Sequence, residues 1–193
     1  MGQYYKTVIL SKEGKIQHSF HPHAYENGLK LMEHSYMGNN MMNAVERFLI
    51  DNPSRLVWAG DYDSEKDANG RNLYFQESEA DDGDMTIRVA PTEENQKDLP
   101  KGMYVLNNTK KEYYERDYIE KLNSRRIPEW SWAINPLSLL TIKTDGGGGG
   151  DYYGKCHRNM LGRWAGDEIE ITAVKPQEGY PDYKRIVPTF REK

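Results

Sequence analysis

Cysteine is almost absent from this chain of 193 residues: Cys156 stands alone. A lone thiol excludes an intrachain disulfide, so the fold must rest on its core, and the usage fits a reducing compartment. Phenylalanine is scarce too, with 4 residues against 14 tyrosines and 4 tryptophans. The aromatic weight therefore sits on side chains with a polar handle, which suit half-buried positions, binding surfaces and thinly covered sheets. No run approaches the roughly 20 apolar residues that cross a bilayer. No signal peptide is visible. The opening Met1-Gly2-Gln3-Tyr4-Tyr5-Lys6 has the glycine of a myristoylation signal but Lys6 where Ser or Thr is needed. These absences predict a cytoplasmic protein without membrane attachment.

A basic surplus is missing as well. The 26 Lys and Arg are outnumbered by 30 Asp and Glu, for a net charge of −4. That excludes broad nucleic-acid binding by phosphate neutralisation, and the acidity is too slight for a DNA mimic. What is present is enough apolar material, 37% hydrophobic residues, to bury one core. No linker divides the chain, so residues 1–193 read as a single domain.

Gln3 to Leu10 and Lys15 to Phe20 are β-type runs around a short loop ending in Gly14, a hairpin pattern. Gly28 to Glu33 leans toward strand. Asn39 and Asn40 are N-cap residues, and Met41, Val45, Phe48 and Leu49 follow at helical spacing until Asn52-Pro53, giving one main helix over about 39–51. Arg55 to Ala59 returns as a strand. Residues 61–84 are acidic and punctuated by Gly and Asn, and read as an exposed flap. Within it, Asn72-Leu73-Tyr74-Phe75-Gln76 is close to a viral protease tag, but Arg71 and Glu77 stand where an acidic and a small residue are needed. Met85, Ile87 and Val89 alternate as a strand. Tyr104 to Asn107 and Glu112 to Glu115 form a second hairpin pattern, Tyr118 to Leu122 one helical turn, and Leu137 to Lys143 a buried strand. A Gly-rich loop covers 144–151, with five glycines from Gly146 to Gly150. The chain closes with Arg163 to Thr172 and a tail over Lys184 to Phe190. The sum is an α+β fold with a mainly antiparallel sheet of short strands. Trp58-Ala59-Gly60-Asp61 recurs as Trp164-Ala165-Gly166-Asp167, which reads as two strand-end turns of similar shape.

Three motifs could carry chemistry. His18, His21 and His23 are closely spaced, but Pro22 interrupts them and no nearby Asp or Cys completes a ligand set, so no metal is expected. The acids from Asp61 to Asp67 echo a calcium loop that fails at its strongest ligands, with Glu65 first and Gln76 last. Cys156 and His157 are neighbours, which in a strand point to opposite faces. The glycine run is the strongest of the candidates, because closely spaced backbone N–H groups form an anion nest. Behind it come Lys155, His157, Arg158 and Arg163, interleaved with Tyr152, Tyr153 and Trp164. Cations beside aromatic faces suit a phosphorylated ligand with a stackable base, or an acidic partner. The expected ligand-binding residues are Gly148, Gly149, Gly150, Tyr152, Lys155, Arg158, Arg163, Trp164 and Asp167. No catalytic residue and no cofactor is expected.

The ordered motifs Met1 to Lys6, Gly28 to Ser35, Trp58 to Tyr62, Asn108 to Tyr113, Pro136 to Thr141, Gly149 to Tyr152 and Gly162 to Asp167 span nearly the whole chain. Together they resemble an uncharacterised family of small phage and bacterial proteins, relative to which 61–84 is enlarged. The resemblance implies no activity or cofactor. It implies a phage-borne accessory protein in the infected cytoplasm, with an anti-defence role as one form of it. The Tyr and Trp richness, the Gly-rich basic segment and the lack of a catalytic constellation point to binding of a small anionic, nucleotide-like ligand or a host defence protein without catalysis. A metal-assisted hydrolase using the histidines or Asp61, Asp63 and Asp167, and a virion or assembly component, are the alternatives.

Overall fold

The structure, a computed structural model, describes residues 3–63, 72–76, 87–123, 133–143 and 160–188. Both hairpins form where the local pattern places them. Strands β1 (Tyr5–Leu10) and β2 (Ile16–Phe20) pair antiparallel, as do β5 (Tyr104–Asn107) and β6 (Glu112–Glu115). β3 (Ser54–Gly60) runs antiparallel to β1 over six residue pairs. Two-residue strands β4 (Ile87–Arg88) and β9 (Lys184–Arg185) close the edges, and β8 (Glu168–Thr172) joins the halves. The sheet order is β4-β2-β1-β3-β8-β5-β6-β9. The long pairings are antiparallel. The parallel ones, β2 with β4, β6 with β9 and β3 with β7 (Ile142–Lys143), span two residues each. The fold is α+β with a mixed sheet.

Period-two alternation divides the side chains between two faces. One face carries Tyr5, Ile9, Leu56, Trp58, Val105, Ile169 and Ile171, and the helices pack on it to form the main core. On the other, Val8, Leu10, Val57 and Ala59 are capped by Leu73. Of the stretch expected as a flap, only 61–63 and 72–76 are described, and Leu73 there is buried. The remainder of 61–84 and the whole Gly-rich loop 144–150, with Asp151, lie outside the described residues.

Helix α2 (Asn40–Phe48) begins where Asn39 Oδ1 accepts from the backbone N–H groups of Met41 and Met42 at 2.9 and 3.2 Å, a cap that contributes about 1 kcal/mol. Three local expectations change. Gly28 to Glu33 leaned toward strand, but Glu33 folds back onto the Lys30 backbone N–H at 2.9 Å and opens helix α1 (Leu31–His34). The single turn expected at Tyr118 is α3 (Arg116–Asn123). Leu137 to Lys143, expected as a strand, is helix α4 (Pro136–Thr141) followed by β7. Asn135 caps it at the Leu137 N–H, 3.0 Å away, and Pro136 sits in its first turn. The six residues of α4 are all buried, so no polar face marked the helical period.

A buried ion pair ties these helices together. Glu46 on α2 receives both Nε and Nη2 of Arg116, the latter at 3.0 Å, and Nδ2 of Asn135 at 2.8 Å. Burial lowers the Arg116 pKa, but the Glu46 charge outweighs it and leaves that pKa raised.

Candidate functional site

β3 changes partners along its length. Ser54 and Arg55 pair with Ile169 and Glu168 of β8, whereas Trp58 and Ala59 pair with Ile142 and Lys143 of β7. Between them the turn from Met160 to Asp167 wedges into the fork. It is stitched there by backbone bonds: Gly162 N–H to Leu139 O at 2.9 Å, Trp164 N–H to Leu140 O at 2.7 Å and Gly166 N–H to Leu56 O at 2.9 Å. Gly162 and Gly166 hold φ of 67° and 75°, left-handed values that favour glycine. At Gly162 a Cβ would also meet the Ile142 carbonyl oxygen at 2.7 Å.

Beside this turn opens a polar cleft of about 550 Å³, lined by Leu10, Arg55, Val57, Lys143, Gly166 and Asp167 among others. Among the described residues its charged lining is two cations and one carboxylate. That carboxylate, Asp167, is bound by the Lys110 ammonium and by Asn107 Nδ2 at 2.8 Å. By formal charge the described lining is therefore net positive.

Of the expected ligand-binding residues, Gly148, Gly149, Gly150, Tyr152, Lys155 and Arg158 lie outside the described residues. The other three lie together on the wedged turn, each with protein partners. Arg163 forks onto Glu112, with Nε to Oε2 at 3.1 Å. Trp164 is 0% exposed, stacks on Tyr114 at 5.8 Å and donates Nε1–H to Glu112 at 2.9 Å. Its ring is part of the core rather than a platform for a ligand. Burial works to raise the Glu112 carboxyl, but the bonds from Arg163 and Trp164, with the Arg163 and Lys110 charges, hold it below its ordinary range. Asp167 alone of the three faces the cleft. Arg55 and Lys143, which read only as strand residues, line it too. The one sequence signal for Arg55 was a cation sharing a strand face with Val57 and Ala59.

The repeated Trp-Ala-Gly-Asp does not repeat in shape. Trp58 to Gly60 is extended in β3, whereas Trp164 to Gly166 is the turn. The likeness is chemical: both indoles are fully buried and both donate to a side chain, Trp58 to His34 and Trp164 to Glu112.

The histidines disperse. His18 packs on Phe48, with ring centres 4.9 Å apart, and burial lowers its pKa. His21 precedes a single helical turn (Pro22–Tyr25), and His23 lies exposed within that turn. Among the described residues no three His, Cys, Asp or Glu side chains group to hold a metal. No described helix is long and apolar enough to cross a membrane. Comparison with family models, curated proteins and solved structures finds no match to this chain.

Proposed function

We propose that this protein binds a small anionic, nucleotide-like ligand at the fork of its sheet and releases it unchanged, as a phage-type accessory protein of the infected cytoplasm. One observation carries the reading. Two cations, Arg55 and Lys143, line one cleft whose single carboxylate among the described residues, Asp167, is already bound by Lys110 and Asn107. An anion entering such a cleft gains charge-assisted hydrogen bonds, which are about twice as strong as neutral ones. Binding without chemistry is supported by the state of Asp167. Its pairing with Lys110 and Asn107 fixes it as a wall group rather than a free general base. The ordered motifs and their phage resemblance supply the biological setting, and blocking a host defence protein by the same charged surface is its protein-partner form.

The test is calorimetry against a panel of cyclic nucleotides and ADP-ribose derivatives, followed by chromatography of the recovered ligand. Saturable binding with intact ligand is expected. A converted ligand replaces sequestration with catalysis, and a panel without binders rejects a small nucleotide-like ligand.

A further inference from the structure

Resting on that reading of the cleft, we infer that Arg55 is its anion anchor and that the cleft takes the sugar-phosphate end of the ligand rather than its base. The guanidinium of Arg55 is held in an unusual way. Nε donates to Gly166 O at 2.9 Å, and Nη1 donates to Ser11 O at 3.1 Å and Lys12 O at 3.0 Å. All three partners are neutral carbonyls. Among the described residues Arg55 pairs with no carboxylate, although Glu168 is its cross-strand neighbour. That carboxylate instead accepts from Asn108 Nδ2 at 3.2 Å.

A guanidinium has five N–H donors. The three carbonyl bonds leave Nη2 without a partner among the described residues. Nη2 lies beside Gly166, where a Cβ would only reach ordinary contact at 3.8 Å. The side chain is thus immobilised by folding, and a ligand does not have to order it again. Among the described residues no carboxylate pairs with its charge, and its remaining donors match the oxygens of a phosphate.

The ligand class follows from the rest of the wall. Leu10, Val57, Ile142, Leu161 and Ala165 are aliphatic, and no aromatic ring lines the cleft among the described residues. Trp164, the nearest candidate in sequence, is buried in the core. Among the described residues a base has no ring to stack on here. A sugar, by contrast, can lay its apolar face on the aliphatic side chains and donate a hydroxyl to Asp167, the one carboxylate among the described wall residues.

The experiment is titration calorimetry of the full chain with ribose 5-phosphate, adenosine and inorganic phosphate, for wild type, Arg55→Gln and Arg55→Lys. The inference predicts that ribose 5-phosphate binds more tightly than inorganic phosphate and that adenosine binds poorly. Arg55→Gln should weaken ribose 5-phosphate about tenfold or more, the loss of one charge-assisted contact. Arg55→Lys should recover part of it. Because Arg55 also pins the 11–12 loop, melting temperatures accompany each titration. The Arg55 Nε–H resonance of wild type gives a readout that needs no variant, and it should shift as ribose 5-phosphate is added. Equal affinity in a folded Arg55→Gln, or an Arg55 resonance unmoved at saturation, overturns the anchor while the cleft reading stands. Adenosine binding as tightly as ribose 5-phosphate overturns the ligand class. Failure of every phosphorylated probe to bind wild type removes the cleft reading and this inference with it.

Discussion

Trp58 on β3 and His34 at the end of α1 share one buried hydrogen bond, Nε1–H to Nε2 at 3.1 Å. The other ring nitrogen of His34 lies 3.0 Å from the Gly28 carbonyl. Since Nε2 accepts, Nδ1 must carry the proton, and the ring is neutral. Two segments distant in sequence, Gly28 to Ser35 and Trp58 to Tyr62, therefore meet through this pair in the core.

That pair sets a pH dependence. Burial, partly offset by the Gly28 bond and the Glu33 charge, lowers the His34 pKa from an ordinary 6.5 to about 4. Between these values the unfolded chain binds a proton that the folded chain refuses. Stability is then fully present above pH 6.5 and declines as pH falls toward 4, by about 3 kcal/mol for this group. Urea unfolding at several pH values, for wild type and His34→Gln, checks it. The stability advantage of wild type over His34→Gln should shrink on acidification, and an advantage constant with pH contradicts the assignment.

The Glu46–Arg116 pair predicts a steep and asymmetric mutational response. Arg116 is 3% exposed, so Glu46→Ala strands a buried charge and should cost about 3–5 kcal/mol. Replacing both, as Glu46→Leu with Arg116→Met, should cost less than the sum of the single changes. Denaturant midpoints measure both. A Glu46→Ala cost below about 1 kcal/mol would show that the pair is not held as described.

Gly162 should tolerate a methyl group poorly. Gly102 has a similar positive φ of 83° and open space around it, so Gly102→Ala bears only the backbone strain of roughly 1 kcal/mol. Gly162→Ala adds a collision with the Ile142 carbonyl in the wedge. Its loss in thermal stability should clearly exceed that of Gly102→Ala. Equal losses would place the turn elsewhere than against β7.

Legibility in the sequence followed the range of the forces involved. The hairpins and α2 depend on neighbours, on alternation and on the Asn39 cap, so they were readable. Helix α4 was not, because a segment buried on every side shows no period. At the candidate site the sequence displayed the cations and aromatics of 152–167 but not their partners. Glu112, which takes up Arg163 and Trp164, is 51 positions from Arg163. The Arg55 anchor was least readable of all. Its meaning comes from carbonyls 43, 44 and 111 positions away, and backbone acceptors leave no residue-type signature.

The central claim, an anion held at the sheet fork, is tested most directly by titrating the isotope-labelled protein with ADP-ribose and following its backbone amides. The account predicts saturable shifts gathered on Arg55, Lys143, Gly162, Ala165 and Gly166, all of which line one cleft. Shifts gathered instead around the exposed rings of Tyr4, Tyr62 and Phe75, or no shift at the highest soluble concentration, would contradict it.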